Sequence, residues 1–210
     1  MRIKSVFFIL FFLAGILQTA TGTASEIAGK IIRLRGEVTA KNGEAQRVLS
    51  LNDDVFVSDK LTTGTNARAE VRFHDGSSVT LGQQTVFLVH EFHHDEGDES
   101  VHAVLEITDG AFRATTSKIF KAHPKNLFEV RTATAVIGAR GTDFWGGRGK
   151  GLWEIALLEG TSIYIENAKG RVEITTPGFG TDVSDGEAPT TPHKWAAPRV
   201  ERALNTVSWD

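Results

Sequence analysis

The chain contains no cysteine, and that absence excludes disulfide cross-links, a thiol nucleophile and a lipidated cysteine together. The fold must then rest on its apolar core, and 210 residues are enough to build one well-buried domain. Positive charge is also short, with 23 Lys and Arg against 26 Asp and Glu. That balance argues against nucleic acid as a partner. Long hydrophobic runs are confined to residues 6–17, which follow Arg2 and Lys4. A run of that length is too short to span a bilayer comfortably. With small residues at Gly22 and Ala24 it predicts an export signal over residues 1–24. Cleavage would leave 21 basic residues against 26 acidic, a net charge of −5, in a periplasmic or secreted protein with no stable membrane span.

Catalytic motifs are missing as well. There is no G-x-S-x-G elbow and no S-x-x-K pair. Paired carboxylates for glycoside hydrolysis leave no fixed spacing to search for. The reading is therefore a protein that is not an enzyme and needs no cofactor, with a secreted glycan-binding or glycan-acting protein as an alternative.

What the sequence does have is a period of two. In "ARAEVRF", Ala67, Ala69, Val71 and Phe73 alternate with Arg68, Glu70 and Arg72, which places apolar groups on one face of a strand and charges on the other. "RVEIT" and "TSIYIEN" read the same way. Turn signals punctuate these runs at Asn42-Gly43, Asp75-Gly76, Asp109-Gly110, Glu159-Gly160 and Lys169-Gly170. Many short strands with regular turns predict an all-β domain over residues 25–181, mainly antiparallel, arranged as a sandwich or as a rolled, solenoid-like sheet. From residue 182 the composition shifts toward Asp, Gly, Thr and Pro, including Pro189, Pro192 and Pro198. Residues 182–210 thus read as an arm laid over the body. Within it "PRVERALNTV" predicts a short C-terminal helix that opens on proline and buries Val200, Ala203 and Leu204, with Trp195 and Trp209 docking the arm.

The densest segment is "TATAVIGARGTDFWGGRGKG", residues 132–151. A phosphate-binding loop would need a hydroxyl after its lysine, where Gly151 stands, and a helix to follow. The structural reading is stronger. Gly138 and Gly141 would allow close backbone approach or a positive φ where a strand turns a corner. Arg140, with five donors in a fixed fork, is expected to be buried and to fasten neighbouring turns through Asp54, Asp75 or Asp143. "GGRGKG" reads as a hairpin loop in which Trp145, Arg148 and Lys150 offer an aromatic face and two cations to an anionic glycan. Histidine gathers in "HEFHHDEGDESVH", where His90, His93, His94 and His102 stand among Glu91, Asp95, Glu96, Asp98 and Glu99. The spacing matches no established metal site. A polar hairpin tip is the reading, with a His90, His93 and His94 metal site as the weaker alternative.

Three strings, "GEVTAKNGEAQRVLSLNDDVFVSDKLTTGTNARAEVRFHDGSSVTLG", "VRTATAVIGARGTDF" and "IALLEGTSIYI", together resemble the FecR domain family. The distinctive element is Gly138-Ala139-Arg140-Gly141-Thr142 followed by Phe144. The sequence departs from the family at Ala133, where proline is frequent, and at Ala139, where valine is. The resemblance implies an all-β domain outside the inner membrane. It also implies a part in signalling, since the best-known members relay a surface signal to a sigma factor through a cytoplasmic segment. Only Met1 to Lys4 precede the apolar run, so that relay is not expected here. The expectation is an exported module that binds an envelope protein or a glycan. A structural protein that pairs through its sheet edges is the alternative.

Overall fold

The alternation of the sequence is realised strand by strand. The computed structural model describes residues 26–210 apart from 96, 98, 99, 123 and 124, so the leader expected over 1–24 lies outside the described residues, as do Glu96, Asp98 and Glu99. The chain opens with β1 (Ile27–Arg35), β2 (Val38–Asn42), β3 (Ala45–Val48), β4 (Asp54–Phe56), β5 (Lys60–Thr63) and β6 (Arg68–Phe73). It continues through β7 (Ser78–Leu81), β8 (Val86–Asp95), β9 (Ser100–Asp109), β10 (Ala111–Thr115), the single-turn α1 (Ile119–Ala122), β11 (Leu127–Arg131) and β12 (Val136–Ala139). Last come β13 (Asp143–Gly149), β14 (Leu152–Glu159), β15 (Ile163–Asn167), β16 (Gly170–Ile174), β17 (Phe179–Ser184), β18 (His193–Lys194) and α2 (Ala197–Asn205).

These strands form two nine-stranded sheets, neither closed into a barrel. The first runs β18-β17-β14-β13-β10-β7-β6-β1-β4 and the second β16-β15-β12-β11-β9-β8-β5-β2-β3. From β5 onward the chain steps back and forth between them while both sheets grow in the same direction. Sandwich and roll, alternatives in the sequence, are thus combined. Pairing is antiparallel throughout except between β9 and β11, because the strand that separates them in sequence, β10, belongs to the other sheet.

The inward faces share one core. Val71 and Phe73 of β6, Phe112 of β10 and Phe144 of β13 meet Phe87, Phe128 and Ile137 of the second sheet. The Phe128 and Phe144 rings lie edge to face at 6.4 Å, joining the two layers. A second apolar cluster lies on the outer face of the first sheet. There Trp145 packs on Trp195 at 6.0 Å and on Ala203 and Val207, so α2 and its flanks cover the sheet. Val200 packs against this cluster and Leu204 is half-buried. Pro198 sits in the first turn of α2, where its missing N–H costs no hydrogen bond. The arm begins inside β17, which runs through residues 181 and 182 as one strand. Trp209 lies under the Arg33 guanidinium at 4.3 Å.

At the other end of the molecule a polar knot joins β2, β3 and the turn before β5. Asp59 is fully buried. It accepts hydrogen bonds from Arg47 Nη1 (3.1 Å) and Nη2 (2.5 Å), from Asn42 Nδ2 (3.1 Å) and from the Phe56 amide (2.8 Å). A buried carboxylate that saturates its lone pairs in this way locks the strands around it.

Candidate functional site

The Gly138–Phe144 motif forms the passage from β12 in the second sheet to β13 in the first. Gly138 pairs in register with Tyr164 of β15. A Cβ there would overlap Cε1 and Cζ of the tyrosine, so of the two readings of this glycine it is close approach, as a seat for the ring, and not a positive φ. Above the ring lies Arg171 of β16, its guanidinium 4.0 Å from the centroid, with Nη1 donating to Glu166 at 2.8 Å. Burial, with Glu129 adding, pushes the Tyr164 phenol above its ordinary range. Gly141 does turn the corner, with φ of 59°. Thr142 then donates its N–H to Thr116 Oγ1 (2.7 Å), and the Thr116 amide donates to the Thr142 carbonyl (2.9 Å).

Arg140 is not buried. It follows the last residue of β12, where the chain leaves the second sheet, and its side chain is exposed. The carboxylates expected for it are engaged elsewhere. Asp143 takes a bidentate grip from Arg113 of β10, through Nε (2.9 Å) and Nη2 (2.5 Å). This hydrogen-bonded pairing raises the Arg113 pKa. Asp54 meets Lys30 at 2.5 Å, and Asp75 accepts from Ser77 Oγ at 2.6 Å. The arginine that fastens Asp143 is thus Arg113, which β10 brings alongside β13 with Thr115 opposite Asp143.

Exposure gives Arg140 another setting. On the second sheet an open groove of about 520 Å³ is lined by Arg140, Lys125, Arg171, Tyr164, His102 and Glu173 among others. Three cations and one carboxylate, Glu173, line it around an aromatic ring, and one of the three, Arg171, is paired with Glu166 at its edge. Such a surface attracts anions and offers guanidinium forks for carboxylates.

The second predicted set separates in the structure. "GGRGKG" is strand through Gly149, with the turn at Lys150 (φ 50°) and Gly151 (φ 83°). Its glycines leave room for rings, Phe112 against Gly146 and Trp145 against Gly147. Trp145 itself is buried, and its indole N–H donates to Thr206 Oγ1 at 3.0 Å. It therefore offers no open face to a sugar, while Arg148 and Lys150 are exposed. Arg148 reaches a cavity between the first sheet and α2, and Lys150 lines a neighbouring depression.

The histidines also separate. Between Val89 and Glu91 the β8 to β9 register shifts by a residue, so the alternation restarts after His90. Phe92 is then buried, while His90, Glu91 and His93 are exposed and His94 is half-buried. His102 Nδ1 pairs with Glu91 Oε1 at 2.8 Å. Among the described residues no three His, Asp or Glu side chains gather to hold a metal ion, and no helix is long and apolar enough to cross a membrane.

Comparison with known proteins agrees with this architecture. The model of the FecR protein family matches residues 59–163. No curated protein matches the chain. Two crystal structures of a candidate anti-sigma factor from Parabacteroides distasonis ATCC 8503, at 1.65 and 2.50 Å resolution, share the fold. Each is 17% identical with a TM-score of 0.55, over 69% of this chain and 64% or 63% of theirs. The chain thus spans less than two thirds of those structures, and likeness at that identity carries the fold alone.

Proposed function

The chain belongs to the FecR family, and from that premise we propose that it is a non-enzymatic, signalling-related binding module of the cell envelope. Its partner is a protein that presents an acidic segment to the groove above Gly138. The observation that carries this reading is the convergence of Lys125, Arg140 and Arg171 on one aromatic-floored groove. Exposed cations around a preformed seat steer and grip carboxylates without any chemical step. The candidate anti-sigma factor of the same fold supports a signalling role.

Fluorescence anisotropy with a labelled hexaglutamate peptide tests the reading. Binding that weakens with salt, and falls roughly tenfold or more in Lys125→Glu and Arg140→Glu, is the expected result. Absence of binding by the wild type at low salt would remove the reading.

A second reading has its own observation. The edge strand β3 ends in Val48, 66% exposed, and is followed by Leu51, 56% exposed, which suits pairing with a second chain. Light scattering at high concentration tests it. A Val48→Lys variant that turns an assembly into a monomer favours this reading, and a wild type that is monomeric throughout rejects it.

A further inference from the structure

The side chain least expected from the sequence is Arg68. It begins β6 on the face that alternation assigns to solvent, yet it is only 7% exposed. Its Nη1 donates to its neighbour's carbonyl, Ala67 O, at 2.8 Å. Its Nε is buried without a partner. Among the described residues no carboxylate pairs with it. Opposite it across the strands stands a second arginine, Arg35, whose Nη1 is given to the carbonyls of Trp209 and Asp210. An arginine does not shed its charge at physiological pH, and a buried charge without a counter-charge is costly. Burial and Arg35 both lower its proton affinity.

Arg68 lines a cavity of about 590 Å³ between the first sheet and the last turn of α2. Arg148, which has no carboxylate partner among the described residues, lines it too. Two acids share its wall. Glu154 is bridged by Arg199 (2.6 Å) and Arg202 (3.1 Å), and Asp109 accepts from the Gly110 amide at 2.9 Å. The carboxamides of Gln83, Gln84 and Asn205 complete the polar wall. This volume is of the size that holds small molecules. Three arginines, Arg68, Arg148 and Arg202, outnumber the two acids, a balance that favours an oxyanion, and the carboxamides suit hydroxyl groups.

We propose that this cavity binds a small anionic sugar, with its carboxylate or phosphate on Arg68 and Arg148 and its hydroxyls on the glutamine and asparagine amides. Such a ligand would bridge the sheet to α2, since Asn205 and Thr206 line the same cavity. The site lies on the first sheet and is independent of the groove above Gly138.

Isothermal titration of the full chain with glucuronate, glucose 6-phosphate, inorganic phosphate and neutral glucose tests the proposal, with intrinsic tryptophan fluorescence reporting on Trp145. Binding of either anionic sugar, a negligible response to glucose, and a loss of roughly tenfold or more in Arg68→Gln and in the exposed variant Arg148→Ala are expected. The arm that binds, carboxylate or phosphate, identifies the oxyanion. No heat from either sugar at millimolar concentration would overturn the site. So would binding unchanged in both variants, and inorganic phosphate binding as tightly as the sugars would overturn the assignment to a sugar.

Discussion

Asp59 and Arg68 are both charged, both buried, and treated in opposite ways. Asp59 takes four hydrogen bonds from three residues at one end of the sandwich. Arg68 gives one to its own neighbour and faces a cavity. A saturated buried charge holds strands together, because removing it strands every donor that pointed at it. A buried charge left open contributes little to the fold and reserves its hydrogen bonds for something that arrives later.

The contrast predicts a graded series in chemical denaturation. Asp59→Ala should cost the most, about 3 kcal/mol, the low end for a broken buried pair because Arg47 reaches solvent. Asp143→Asn should cost less, about 1–2 kcal/mol, since the Arg113 side chain is 44% exposed and screened. Arg68→Leu should be neutral or stabilising by up to about 1 kcal/mol, as replacing an uncompensated buried charge by an apolar group removes a penalty. A loss as large as that of Asp59→Ala would break the comparison. Arg140→Glu, at an exposed position, should cost less than Asp59→Ala while weakening acidic-peptide binding.

A smaller effect sharpens the same comparison through pH. Burial raises the carboxyl pKa of Asp75 despite two hydrogen bonds from Ser77. The folded state then holds that proton more tightly than the unfolded chain. Stability from this group is present below the ordinary carboxylate pKa and is lost as pH rises from there through the raised value. Asp75→Asn should flatten that part of the stability profile measured by urea titration at a series of pH values.

Much of the fold was legible because strand alternation and turn chemistry are local. Ala69, Val71 and Phe73 face the core as their spacing predicts, and Asn42-Gly43 and Lys169-Gly170 join hairpins between β2 and β3 and between β15 and β16. The site was less legible because its causes are not local. Arg68 looks like a solvent-face residue until α2 and its tail, far along the chain, cover it. Arg140 lies three residues from Asp143, yet the partner is Arg113, brought alongside by β10 pairing with β13. Trp145 sits among glycines that resemble a loop, but those glycines make room for rings in a strand. The bulge at His90 cannot be read from histidine spacing, and it decides which imidazoles share a face. Tyr164 does carry a local signal, an aromatic in a strand with a glycine in the distinctive motif for it to cover.

The most direct test of the central claim is amide-resolved mapping of hexaglutamate binding by nuclear magnetic resonance. The account predicts perturbed amides clustered on β11, β12, β15 and β16 around Gly138, with β6 and α2 unaffected. Perturbations confined to the first sheet, or none at saturating peptide, would contradict it.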